Sequence, residues 1–135
     1  MPFVVKLKGQ FFDIDKFLNV DQKVGDTPEC PNTSADVQAV QKLIGLANTQ
    51  GFKFPAPAPS GKFDAVTAYF IYHMQMRQQK EKPSAKVDGI ITPAIHASNY
   101  GGGLWTIMLL NNIAAFTNRA GWELLLSKFP VRSAA

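Results

Sequence analysis

Two stretches of this 135-residue chain repeat one pattern: Ser60-Gly61-Lys62-Phe63 and, further on, Asp88-Gly89-Ile90-Ile91. In each, a polar residue precedes a glycine, and an apolar residue follows two places after it. A polar-Gly pair makes a tight turn in which glycine takes a positive φ, and the apolar residue plugs into a core as the chain turns into its next helix. A chain that does this twice is expected to be a set of helices joined by docked turns.

The periodicity around the two turns supplies the helices. In "NTSADVQAVQKLIGLANTQG", Thr33 or Ser34 can cap, Asp36 lies in the first turn, and Val37, Val40, Leu43 and Ile44 form one apolar stripe, with Gly51 as a stop. Pro55, Pro57 and Pro59 then impose an extended surface arm. A second helix is expected from Phe63 or Asp64 to Pro83. Val66, Phe70, Ile71 and Met74 face inward on it, and Gln75, Arg77, Gln78 and Lys80 face water. "HASNYGGG" reads as a surface loop, Leu104 to Phe116 as a buried apolar helix, and the text around Trp122, Leu125 and Leu126 as a last amphipathic turn or two. Before all of these, "FVVKLKGQF" favours a strand, and Asn19 to Thr33 reads as a loop. The expected organisation is an N-terminal extension of strand and loop over 1–33, a helical domain over 34–116 and a C-terminal extension over 117–135.

With 46% apolar and 18% charged residues the chain is too hydrophobic to be disordered along most of its length. A net charge of +4 would suit a polyanion, but the basic residues are spread from Lys6 to Arg132 and form no dense block, so no nucleic-acid partner is expected. "GLWTIMLLNNIAAF" is interrupted by Asn111 and Asn112 and is too short to span a bilayer. The start has lysines and aspartates in place of a signal peptide's apolar run and cleavage site. The expected location is therefore the cytoplasm, or the periplasm by a signal-independent route.

Three blocks stand in order: Val37, Val40, Gln41 and Ile44 with Gly51-Phe52; then Gly61, Phe63, Thr67, Ile71, Met74 and Gln75; then Val87, Asp88, Gly89 and Pro93. Together they resemble the bacterial peptidoglycan-binding domain of the three-helix type, found attached to cell-wall hydrolases and amidases. Gly101 to Asn111 resembles the family's closing helix. Ser60 and Asp64 stand where the family has Asp and Gly, Thr92 stands where it has Gly, and a Pro-rich and an "IHASNY" insert lengthen the connections. The resemblance implies a mainly α fold: a small three-helix bundle of the peptidoglycan-binding type, with an N-terminal strand or extended segment and long loops. It implies a non-catalytic module whose partner is peptidoglycan, as muropeptide or glycan, together with a protein partner such as a wall hydrolase or secretion component. The other expectation is an adaptor of a phage or contact-dependent secretion system that keeps the fold without binding glycan.

Catalytic machinery is hard to assemble from this text. His73 and His96, even with Asp88, do not make a zinc site at recognisable spacing; Cys30 has no activating neighbour in "TPECPN"; and Glu29, Glu81 and Glu123 stand alone. No catalytic residue, metal or cofactor is expected, and the chain is not expected to be an enzyme. Binding is easier to build, because glycan and peptide stems are held by aromatic faces and polar side chains on loops of a rigid scaffold. The candidate ligand-binding residues are Asp88, Tyr72, Asn99, Tyr100 and Trp105, at the end of the bundle where the turns lie. For two of them the plainer reading weighs more: Trp105 as core and Asp88 as only the turn residue.

Overall fold

The structure, a computed structural model, describes residues 1–11, 13–47, 55–94 and 105–132. In chain order the elements are β1 (Phe3–Phe11), β2 (Ile14–Asn19), β3 (Val24–Gly25), α1 (Ser34–Ala47), α2 (Ala65–Glu81), β4 (Ile90–Ile91), α3 (Thr106–Thr117), α4 (Arg119–Leu126) and β5 (Val131–Arg132). The strands form a three-stranded sheet in the order β2-β1-β5 and a two-stranded sheet of β3 and β4. The fold is therefore α/β, and the expected mainly α three-helix bundle is corrected. A fourth helix and two sheets share its core.

The reason lies in the first twenty-five residues. β1 and β2 pair antiparallel, with Val4 opposite Leu18 and Val5 opposite Phe17, and β5 joins β1 in parallel, with Val4 opposite Val131. Ile14, Phe17, Leu18 and Val20 are fully buried and belong to the same core as the helices. Burying each such side chain favours folding by about 1.5–3 kcal/mol, so this hairpin is a structural wall of the core. It rests on α3, which also packs on α1 and α4 and buries Ile107, Met108, Leu110, Ala114 and Ala115.

One side chain fixes how α3 meets the sheet. Asn111 of α3 is fully buried; its amide nitrogen donates to Leu18 O at 2.9 Å and to Ile107 O at 2.8 Å, while Oδ1 accepts from Leu18 N at 2.8 Å and from the Trp122 indole at 3.0 Å. The amide thus stands in for a neighbouring strand on the free edge of β2, where open backbone groups would otherwise be buried without partners. Asn19 does the same for Ala94, accepting from its N–H at 3.1 Å and donating to its carbonyl at 2.8 Å.

The helices follow the apolar stripes. Val37, Val40, Leu43 and Ile44 are buried on α1, and Phe70, Ile71 and Met74 on α2. Asp36 is buried as well, accepting hydrogen bonds from Asp21 N, Gln22 N and the Thr33 hydroxyl. Asp64 caps α2 by accepting from Thr67 N at 2.8 Å. One expectation for α2 is reversed: Gln75 and Gln78 are buried rather than facing water. Among the described residues no helix is long and apolar enough to cross a membrane.

Candidate functional site

The repeated pattern is built twice in three dimensions. On α1, the buried Gln41 accepts from Gly61 N at 2.9 Å and donates to Lys62 O at 2.9 Å and to the Thr67 hydroxyl at 3.0 Å. On α2, the buried Gln75 accepts from Gly89 N at 2.8 Å and donates to Ile90 O and to the Thr106 hydroxyl, both at 3.0 Å. In each case the amide grips the glycine N–H, the carbonyl one residue later and a threonine of the next helix. Gly61 has a φ of 79° and Gly89 a φ of 72°, the left-handed region where a side chain is strained. This explains why Gln75 is buried: its amide is fully used inside.

The surroundings of the two turns differ. At the first, a Cβ on Gly61 would collide with Ser34 Oγ, and the proline arm lies close by: Pro57 is buried, and Gln38 donates to Pro59 O at 3.0 Å. At the second, the space next to Gly89 is open, and a cleft of about 550 Å³ begins there. Asp88, Ile90, Thr92 and Gln75 form one side of it, and Trp105 and Thr106 at the start of α3 another. None of the residues Pro55 to Pro59 lines it.

Lys23 and Glu29 reach this cleft from far away in the sequence, because β3 pairs with β4 and sets Gly25 opposite Ile90. The fit is close, since a Cβ on Gly25 would come within 2.9 Å of Gly89 O. Asn32, itself at a φ of 48°, closes the intervening loop by accepting from Gly25 N and donating to Gly25 O, each at 2.9 Å. The loop presents Glu29 to Lys23 in an ion pair of 2.9 Å. The hydrogen bond and charge of Glu29 raise the Lys23 pKa; those of Lys23 lower the Glu29 pKa, with the Thr27 hydroxyl adding to the effect and nearby Asp88 opposing it. A carboxylate shifted downward is the opposite of what a general acid needs.

Asp88 is exposed, and its Oδ1 takes hydrogen bonds from Ile90 N at 3.0 Å and from Gln75 Nε2 at 3.1 Å. Among the described residues its Oδ2 has no partner, and neither does the exposed Lys86 ammonium at the cleft wall. Of the residues expected to bind, Asp88 and Trp105 meet at this cleft; Tyr72 is exposed on α2 but outside the lining; Asn99 and Tyr100 lie outside the described residues. Lys23, Glu29 and Lys86 line the cleft too, and none of them is among the expected ligand-binding residues. Lys86 stands two places before Asp88 and was within reach of a local reading, whereas Lys23 and Glu29 depend on the β3–β4 pairing.

The candidate catalytic groups are placed as follows. His73 lies 4.2 Å from the Tyr69 ring, centre to centre, and Cys30 is buried with its sulfur 3.3 Å from the Thr27 hydroxyl. Glu123 pairs with Lys16 at 2.7 Å. His96 lies outside the described residues, and among those described no three His, Cys, Asp or Glu side chains gather as metal ligands would.

No family model matches the chain, and no solved structure matches it. An alignment 95 positions long, which covers 65% of the chain, is 30% identical to the phenylalanine–tRNA ligase beta subunit of Mesorhizobium japonicum. The chain spans about 11% of the length of that relative.

Proposed function

We propose that the chain is a non-catalytic module that binds peptidoglycan through the cleft beside the Asp88-Gly89 turn. The observation that supports this most is the cleft's make-up: about 550 Å³ of open space with the indole of Trp105 and the charged groups of Asp88 and Lys86 on a rigid frame. Ligand sites of this kind combine an apolar or aromatic surface with a few fixed polar groups, held by elements that do not move. Gln75 provides the rigidity here by tying α2, the turn and α3 together. The resemblance of Val37–Pro93 to wall-binding domains supports the same reading.

The test is co-sedimentation of the purified protein with insoluble sacculi at low and high salt, beside Trp105→Ala and Asp88→Asn. Asparagine keeps the Oδ1 acceptor of the turn and removes only the charge. Retention that persists in salt and falls in both variants is expected. Protein that stays in the supernatant, or retention that salt abolishes, would overturn the reading, because charge alone would then be the attraction.

A second reading, an adaptor in a phage or secretion machine, has its own observation. An apolar groove of about 380 Å³ runs between Leu46 of α1, Pro57 and Pro59 of the arm, and Leu124 and Leu125 of α4, with Lys42 and Lys128 also lining it. Leu124 is 62% exposed there. Capture of a partner that Leu124→Asp abolishes, in a protein that ignores sacculi, would favour this reading.

A further inference from the structure

Among the described residues, four charged side chains line the cleft beside Gly89: Lys23 and Lys86 are cationic, Glu29 and Asp88 anionic. They cancel in sum. An anionic polymer gains little from such a wall, since the lysines that attract it share the cleft with two carboxylates that repel it. A neutral sugar chain needs hydrogen-bonding groups over an aromatic face and no charge at all. A wall that carries both signs suits a ligand that itself carries both signs.

Two of the four form an ion pair with one another, and Asp88 lies close enough for its charge to act on both of them. Lys23 and Glu29 satisfy one another at 2.9 Å. Lys86 has no partner among the described residues, and Asp88 spends Oδ1 on the turn and keeps Oδ2. We infer that the cleft recognises a zwitterionic peptide end, with Lys86 meeting a ligand carboxylate, Asp88 meeting a ligand ammonium, and Trp105 covering the apolar stem between them. This rests on the wall-binding reading and sharpens it: the recognised part of peptidoglycan is the peptide stem, at a diamino acid with a free ammonium beside a carboxylate, and the sugar backbone contributes little. The Lys23–Glu29 pair would shield the other edge of the ligand and disfavour ligands with a single sign of charge.

The experiment has two arms. The first compares sedimentation with intact sacculi and with sacculi whose stems have been removed by an amidase. The second titrates the isotope-labelled protein with a synthetic stem tripeptide ending in meso-diaminopimelate, with the same peptide acetylated on its free amine, and with the peptide-free disaccharide. It follows the Trp105 indole signal; the Trp122 indole, buried and bonded to Asn111, serves as internal reference. The tripeptide is expected to shift the Trp105 signal and the disaccharide to leave it in place. Acetylation, Asp88→Asn and Lys86→Met should each weaken binding by about tenfold or more, as loss of a charged hydrogen bond does.

Equal retention on stripped and intact sacculi, with no response to the tripeptide, would overturn this inference and leave wall binding standing. A tripeptide response in a protein that ignores sacculi would support the zwitterion site and remove the wall reading. Silence in both arms would overturn both.

Discussion

The Gly61 turn and the Gly89 turn share three matching hydrogen bonds from a buried glutamine, with one more from Gln75 to Asp88, yet one is packed shut and the other opens on a charged cleft. At Gly61 the space is occupied by Ser34, and the proline arm runs beside it; at Gly89 the space is open, and Asp88, Lys86 and Trp105 line the cleft next to it. The shared part is architecture, because a glutamine amide can satisfy a turn N–H, a carbonyl and a threonine together. What differs around it is where a function can be placed.

The comparison breaks if the two glutamines are not equivalent. Gln41→Leu and Gln75→Leu each strand a glycine N–H and a carbonyl, and each is expected to cost about 3 kcal/mol in urea unfolding. Markedly unequal losses would mean that only one of them holds its turn. The glycines sharpen the contrast. Gly61→Ala meets both a left-handed φ and Ser34 Oγ and should cost about 2–3 kcal/mol, whereas Gly89→Ala meets only the φ and should cost about 1 kcal/mol. In a Ser34→Gly background the Gly61→Ala loss should fall toward the Gly89 value. An undiminished loss would remove the crowding argument.

The smallest effect separates the helix starts. Asp64 caps α2 with its side chain, while Trp105 at the start of α3 makes no side-chain cap. Asp64→Ala should cost about 1 kcal/mol. Hydrogen bonds from the Thr67 hydroxyl and N–H lower the Asp64 pKa in the folded chain. The folded value therefore lies below the unfolded one, so this contribution is complete above the unfolded pKa of about 4 and fades as pH falls through the folded pKa. The stability gap between wild type and Asp64→Ala should be flat at neutral pH and narrow in acid. A gap that widened in acid would contradict the assignment.

Much of the helical part is legible in the sequence, because stripes such as Val37, Val40, Leu43 and Ile44 and the stop at Pro83 act locally. The fold class is not, and the misreading has a definite cause. β4 and β5 are two residues each, β3 is two residues inside text rich in loop-forming residues, and β2 carries Asp15 and Lys16 between its buried positions. Such strands exist only through long-range pairing, which local periodicity does not carry. The same holds for the candidate site. Asp88 could be found from its turn and Trp105 from its place at the start of an apolar helix, whereas Lys23 and Glu29 arrive through the pairing of β3 with β4. Polarity misplaces Gln75: a glutamine among Arg77 and Lys80 reads as solvent-facing, and only the turn it holds accounts for its burial.

The most direct measurement is a backbone amide NMR titration of the protein with a solubilised disaccharide-peptide fragment of peptidoglycan, reading both turns at once. Shifts are expected at Lys86, Asp88, Gly89, Thr92 and the Trp105 indole, with Gly61, Lys62 and the groove at Leu124 unchanged. Shifts centred on the Gly61 turn, or none at either turn, would contradict the assignment of binding to the Gly89 end.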